Sequence, residues 1–128
     1  MLIGVLVCGI VENYSISLIK SIEQMCEKNG AKAVIIPIKF LGIDYEKILN
    51  NKYAYCYNSS IEYGLLSCFD GLIVEMASVL MYADDSIKKQ YASVFDGMPH
   101  VFISFDKDNV SSVGIDNVAG LTEALEYM

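Results

Sequence analysis

From Leu2 to Cys8 the chain carries no polar side chain at all. A run of that length and completeness is far too short for a membrane span. It is also too evenly apolar for a strand with one wet face, and it fits a strand buried on both faces. The pattern recurs at Lys32–Ile38, Leu72–Met76 and His100–Phe105, and a fifth, shorter strand is expected at Ser112–Ile115. This constrains the fold more than any other feature, because doubly buried strands belong to parallel sheets covered by helices on both sides.

The intervening segments supply those helices. After the loop Gly9–Tyr14, Ser15 or Ser17 can cap a helix in which Ile16, Ile19, Ile22, Met25 and Cys26 recur at helical spacing. Lys20, Glu23, Glu27 and Lys28 take its other side, and Asn29-Gly30 ends it. Lys39–Lys52 reads as a loop with one short helix at Tyr45–Leu49. Asn58–Cys68 reads as a helix despite Gly64, and Asp84–Val94 as another, opened by Asp84-Asp85 at its positive end. Gly97-Met98-Pro99 is a breaker, Asp106–Asn109 is a polar turn, and the last helix follows with Asn117 as its cap. Pro37 removes a ladder donor, so the second strand should fray or lie at an edge. Tyr53, Tyr55 and Tyr57 alternate as in an exposed or partner-facing segment.

The expected fold is therefore α/β, a three-layer, doubly wound parallel sheet in the flavodoxin-like order 2-1-3-4-5. It forms one unit over residues 1–128, with no internal repeat and no linker.

Composition narrows the function. The hydrophobic fraction is 54% with mean hydropathy +0.40, yet no run approaches the ~20 residues of a membrane helix. Residues 1–20 lack the basic start and small-residue cleavage site of a signal peptide, so a cytoplasmic protein is expected. The net charge of −7 and the absence of a basic stripe exclude a nucleic-acid surface within this chain. The four cysteines form no C-x-x-C pair, and with one histidine there is no metal-site spacing, so no metal is expected.

Ligands of open parallel sheets bind outside the carboxyl ends of the strands, near the switch in strand order. Four loops meet there. The first, "CGIVENYS", offers Asn13, Tyr14 and Ser15 for hydrogen bonding and stacking, although Asn13 or Ser15 also suits a helix cap. "IVEMASVLMY" brings Ser78 and Glu75, a strand-end carboxylate that either binds a hydroxyl or amine or stays an exposed rim group; "SFDKD" brings Phe105, a cleft platform or a packing residue; and the last strand ends at Asp116. No catalytic set assembles around them. A flavin or nucleotide phosphate loop is absent, as are G-x-S-x-G and the acidic pocket of a phospho-receiver. His100 stands at the wrong end of its strand for a catalytic base. The chain is read as a non-enzyme without a cofactor.

Four segments together resemble a known family. "IGVLVCGIVENYSISLIKSIEQMCEKNGAKAVIIPI", "FDGLIVEM", "MPHVFISF" and "VGIDNVAGLTEALEYM" are similar to the effector domain of LacI-type repressors, the type I periplasmic-binding-protein fold in its cytoplasmic form. The resemblance implies one lobe, the N-terminal one, of a longer two-lobe sensor that clamps a sugar, nucleobase or similar metabolite. It implies that Asn13 and Tyr14 line the cleft. It places Asp116 and Asn117 at the hinge and cleft edge, with Gly120 allowing close backbone packing. DNA would be met only through a domain outside this chain, and a homodimer is left open as a partner. The Lys39–Tyr57 stretch is longer than usual for the family. Two further readings remain: the same sensor attached to a diguanylate cyclase, and a flavodoxin-like enzyme. The final helix has no stop signal, and Leu121, Leu125 and Met128 should pack in this lobe or its mate.

Overall fold

The computed structural model describes residues 1–49, 53, 56, 58–62 and 65–128. Five parallel strands form one sheet in the order β2-β1-β3-β4-β5. They are β1 (Leu2–Cys8), β2 (Lys32–Ile38), β3 (Gly71–Glu75), β4 (His100–Ile103) and β5 (Ser111–Val113). The helices are α1 (Asn13–Lys28), α2 (Tyr45–Leu49), α3 (Ser59–Glu62), α4 (Met76–Val79), α5 (Asp85–Ser93) and α6 (Asn117–Tyr127).

The register explains the burial. β1 is flanked by β2 and β3, so Val5, Leu6 and Val7 are shut off from water on both faces. β2 has a partner on one side only, and as an edge strand it accommodates Pro37 without fraying, pairing through Ile38. Leu6, Cys8, Leu72, Val74 and Phe102 point to one face, where α4 and α5 supply Met76, Val79, Tyr91 and Ala92, and Phe95 follows α5. Phe95 packs edge-on to both Tyr91 and Phe102, with ring centroids 5.1 and 6.0 Å away. α1 lies on the opposite face, against β1 and β2. Beyond it on that face, Ile73, Val101 and Ile103 are only half-buried.

Several boundaries differ from the sequence expectation. The third strand stops at Glu75, and Met76–Val79 turns into a one-turn helix because the Glu75 carboxylate caps it, accepting from Ser78 N at 2.9 Å. The fourth strand stops at Ile103, because Ser104 adopts a left-handed backbone (φ 57°). The fifth strand sits earlier, at Ser111–Val113. The helix expected over Asn58–Cys68 is α3 followed by a 3₁₀ turn at Leu65–Cys68, with Tyr63 and Gly64 outside the described residues. Tyr53 is exposed; Tyr55 and Tyr57 lie outside the described residues. The short helix at Tyr45–Leu49 is as expected. It follows Gly42, whose φ of +80° brings the backbone so close to Tyr82 that an added Cβ would meet the Tyr82 carbonyl oxygen at 2.3 Å.

Candidate functional site

Because all five strands are parallel, their carboxyl ends share one edge of the sheet. The switch in order lies between β1 and β3. α1 starts at Asn13, and Glu12 holds the cap position without a side-chain hydrogen bond. Ser15 is therefore no cap. It is buried and its Oγ donates to the Cys8 carbonyl at 3.0 Å, tying the helix to the end of β1. Asn13 and Tyr14 stay exposed beside it.

Glu75 takes a different position from the exposed rim carboxylate that the sequence suggested. It is 2% exposed. One oxygen caps α4, and Oε2 has no hydrogen-bond partner among the described residues. The Tyr91 hydroxyl is buried and likewise has no hydrogen-bond partner among the described residues. Burial, and then the nearby Glu75 carboxylate, push both Tyr91 and the Cys8 thiol up, Cys8 to about 11. A neutral thiol is a poor nucleophile, so Cys8 is a packing residue. Ser78 is half-buried beside the α4 cap.

At the end of β4, Phe105 packs edge-on to Phe102 at 5.6 Å and is half-buried against the core, so its platform role is limited to its exposed edge. Ser104, which the sequence places at the end of this strand beside Phe105, was given no ligand role by it. Its left-handed backbone lies at the carboxyl end of a central strand, and its N–H donates to the Val113 carbonyl at 2.8 Å.

Asp116, rather than the expected Asn117, caps α6, accepting from Ala119 N at 2.8 Å. Both are exposed. Gly120 meets nothing: an added Cβ would have no neighbour within 4 Å, so no packing in this chain requires a glycine there. The fold thus brings Asn13, Tyr14, Glu75, Ser78, Ser104, Phe105 and Asp116 to one edge, with Ser15 and Glu75 turned inward.

A cavity of about 350 Å³ opens beside the first loop, lined by Gly9, Ile10, Val11, Pro37, Ile38 and Lys39. His100 sits at the other edge; its Nδ1 is 2.8 Å from the Met98 carbonyl, and its ring packs on Phe102 at 4.7 Å. Among the described residues there is no cluster of metal-ligating side chains, and no helix is long and apolar enough to cross a membrane.

No family model matches the sequence, and no curated protein sequence does. The fold, however, is that of the LacI-type effector-binding lobe. The lactose repressor bound to the anti-inducer ONPF superposes with a TM-score of 0.66 at 15% identity, over 99% of this chain and 42% of that one. A LacI transcriptional regulator from a Rhodococcus species gives 0.63 at 15% identity, over 100% of this chain and 41% of that one. The LacI family regulator CcpA of Weissella paramesenteroides, with bound sucrose, gives 0.62 at 11% identity, over 99% and 41%. The chain spans about two fifths of the length of these structures.

Proposed function

We propose that this chain is the N-terminal, effector-sensing lobe of a LacI-type transcriptional regulator in the cytoplasm. It takes a small polar metabolite, a sugar or nucleobase, at the carboxyl ends of its strands. Asn13 and Tyr14 supply amide and ring from α1, Ser104 and the edge of Phe105 meet the ligand from β4, and Asp116 meets it from the hinge. A second lobe, reached through Asn117 and α6, closes over the ligand. Closure shifts the balance between two states of an attached DNA-binding domain, because ligand favours the closed one.

The observation that carries this reading is the agreement of the whole sheet, in order and direction, with LacI-family structures across 99% of the chain. A CcpA structure among them holds sucrose, which puts sugars first in the search. Neither the cyclase-linked sensor nor the flavodoxin-like enzyme is favoured by any feature of the site.

The test is a thermal-shift screen of sugars and nucleosides on the protein translated from the complete gene. A ligand at 100 times its Kd adds about 2.7 kcal/mol, several degrees of melting temperature. Asn13→Ala and Tyr14→Ala change exposed side chains, and should remove that shift while leaving the ligand-free melt in place. Equal shifts in the parent and both variants would count against the reading, as would no shift with any compound.

A further inference from the structure

The switch in strand order lies on the β3 side of β1. The cavity of about 350 Å³ lies on its β2 side, where the two strands leave the sheet together. Cys8 stands opposite Ile38 in the register, and Gly9–Val11 and Pro37–Lys39 form the walls. Adjacent strands are about 4.8 Å apart, so one small molecule can span both places. The volume falls within the range of about 300–1,000 Å³ that holds small molecules.

The lining is apolar. Of its described residues only Lys39 has a polar side chain, and Val11 at the rim is 83% exposed and Ile10 43%. A sugar hydroxyl turned into such a wall gives up its hydrogen bonds to water and regains few. The nearby charges oppose each other: Glu12 pushes the Cys8 thiol up and Lys39 pulls it down, so neither an anion nor a cation is favoured there. The walls are also held in place. Gly9 turns at φ +69°, and its carbonyl accepts from Glu12 N at 3.1 Å. Ser15 Oγ ties down the Cys8 carbonyl. Asn58 clamps the Lys39 backbone from both sides, accepting from its N at 2.9 Å and donating to its O at 3.3 Å. Walls fixed in advance need no ordering when a ligand arrives.

We propose that this cavity is a subsite for an uncharged apolar arm, an aromatic ring or a short branched chain, carried by an effector whose polar head sits at the switch. The inference rests on the effector reading above and narrows it. The ligands it selects are substituted ones, aryl or alkyl glycosides and bases bearing an apolar group, rather than bare sugars and bases. Docking of the arm takes Val11 and Ile10 out of water, which favours the substituted molecule over its bare head.

The test uses the arm alone, so it does not depend on knowing the head. Benzyl alcohol is titrated into the protein translated from the complete gene, labelled at its Ile and Val methyl groups for NMR. Saturable shifts are expected at Ile10, Val11 and Ile38, with a Kd on the order of millimolar for so few atoms. Val11→Asp, at an exposed position, should weaken this binding by about tenfold or more and leave the other methyl signals in place. Glucose should not move these three methyls, and a hit from the thermal-shift screen should displace the alcohol. No saturable shift at these methyls, or an equal shift with glucose, overturns the subsite and leaves the effector reading to its own screen. Alcohol that binds here and is not displaced by the effector separates the cavity from the effector site, and also overturns the proposal.

Discussion

α5 and α6 begin alike and end differently. Each starts on an aspartate whose carboxylate accepts from the backbone three residues on, Asp84 from Ile87 at 2.9 Å and Asp116 from Ala119 at 2.8 Å. Each has apolar residues at helical spacing. Yet Tyr91 and Ala92 of α5 are buried on the sheet, whereas every residue of α6 is exposed. Local signals specify a helix equally well in both places. Only the sheet face decides whether the helix contributes to the lobe's stability, because most helical stability in proteins comes from tertiary packing.

The contrast is sharpest in side-chain truncation. Phe102 is fully buried and touches Phe95, His100 and Phe105. Phe102→Ala should cost about 3–5 kcal/mol, much of the ~5–15 kcal/mol that a domain has. Leu125→Ala, at an exposed position, should change stability by less than about 0.5 kcal/mol. Urea titrations of the two variants read both numbers. A large loss at Leu125 would mean that α6 packs on its own lobe.

A second way to separate the regions uses backbone rather than side chain. Gly42 holds φ +80° against the Tyr82 carbonyl, and a Cβ cannot fit there. Gly42→Ala should cost about 2–3 kcal/mol by the same titration. Gly120→Ala, in open space on α6, should be neutral or raise helicity. Equal effects at the two glycines would contradict the close approach of the Phe40–Gly42 segment to the end of α4.

These pairs also show what could be read before the structure. The sheet was legible because strands buried on both faces leave near-continuous apolar runs, and because helices between them force parallel order. That α6 packs on nothing described in this lobe was not legible: Leu121, Leu125 and Met128 stand at helical spacing as if for a core, and all three are exposed. The local details were not. Glu75 looked like a rim carboxylate because a charged residue ending an apolar run usually faces water; its burial depends on capping α4, a helix too short to leave a periodic signal. Asn117 looked like the cap, but Asn and Asp cap about equally well and only the backbone chose Asp116. Ser104 was placed at a strand end, but its left-handed backbone is not written in the sequence.

Protonation gives a third comparison. Cys8 ionises near 9.0 when unfolded and near 11 in the fold. The folded state therefore holds the proton more tightly, so its stabilising effect is whole below pH 9 and is lost as pH rises toward about 11. Tyr91 is shifted in the same direction, through burial and Glu75, and adds to the loss at higher pH. The Cys8 part should be on the order of 2 kcal/mol. Measuring stability from pH 8 to 11 in the parent and in Cys8→Ala isolates it, since the variant should lose the steeper part of the fall. Parallel curves would place Cys8 outside the buried region that the strand ends close over.

The smallest effect comes from the two caps. Asp84→Ala removes one hydrogen bond from a helix that packs on the core, so it should lower global stability by about 1 kcal/mol. Asp116→Ala removes the matching bond from a helix that packs on nothing in its own lobe. Its loss should appear as faster amide exchange in Val118–Tyr127 and lower helix content, with the urea midpoint unmoved. The two substitutions are chemically identical, and any difference between them measures what the sheet face adds to a helix. If Asp116→Ala moves the midpoint as far as Asp84→Ala, α6 unfolds with the core and the contrast between the helices fails.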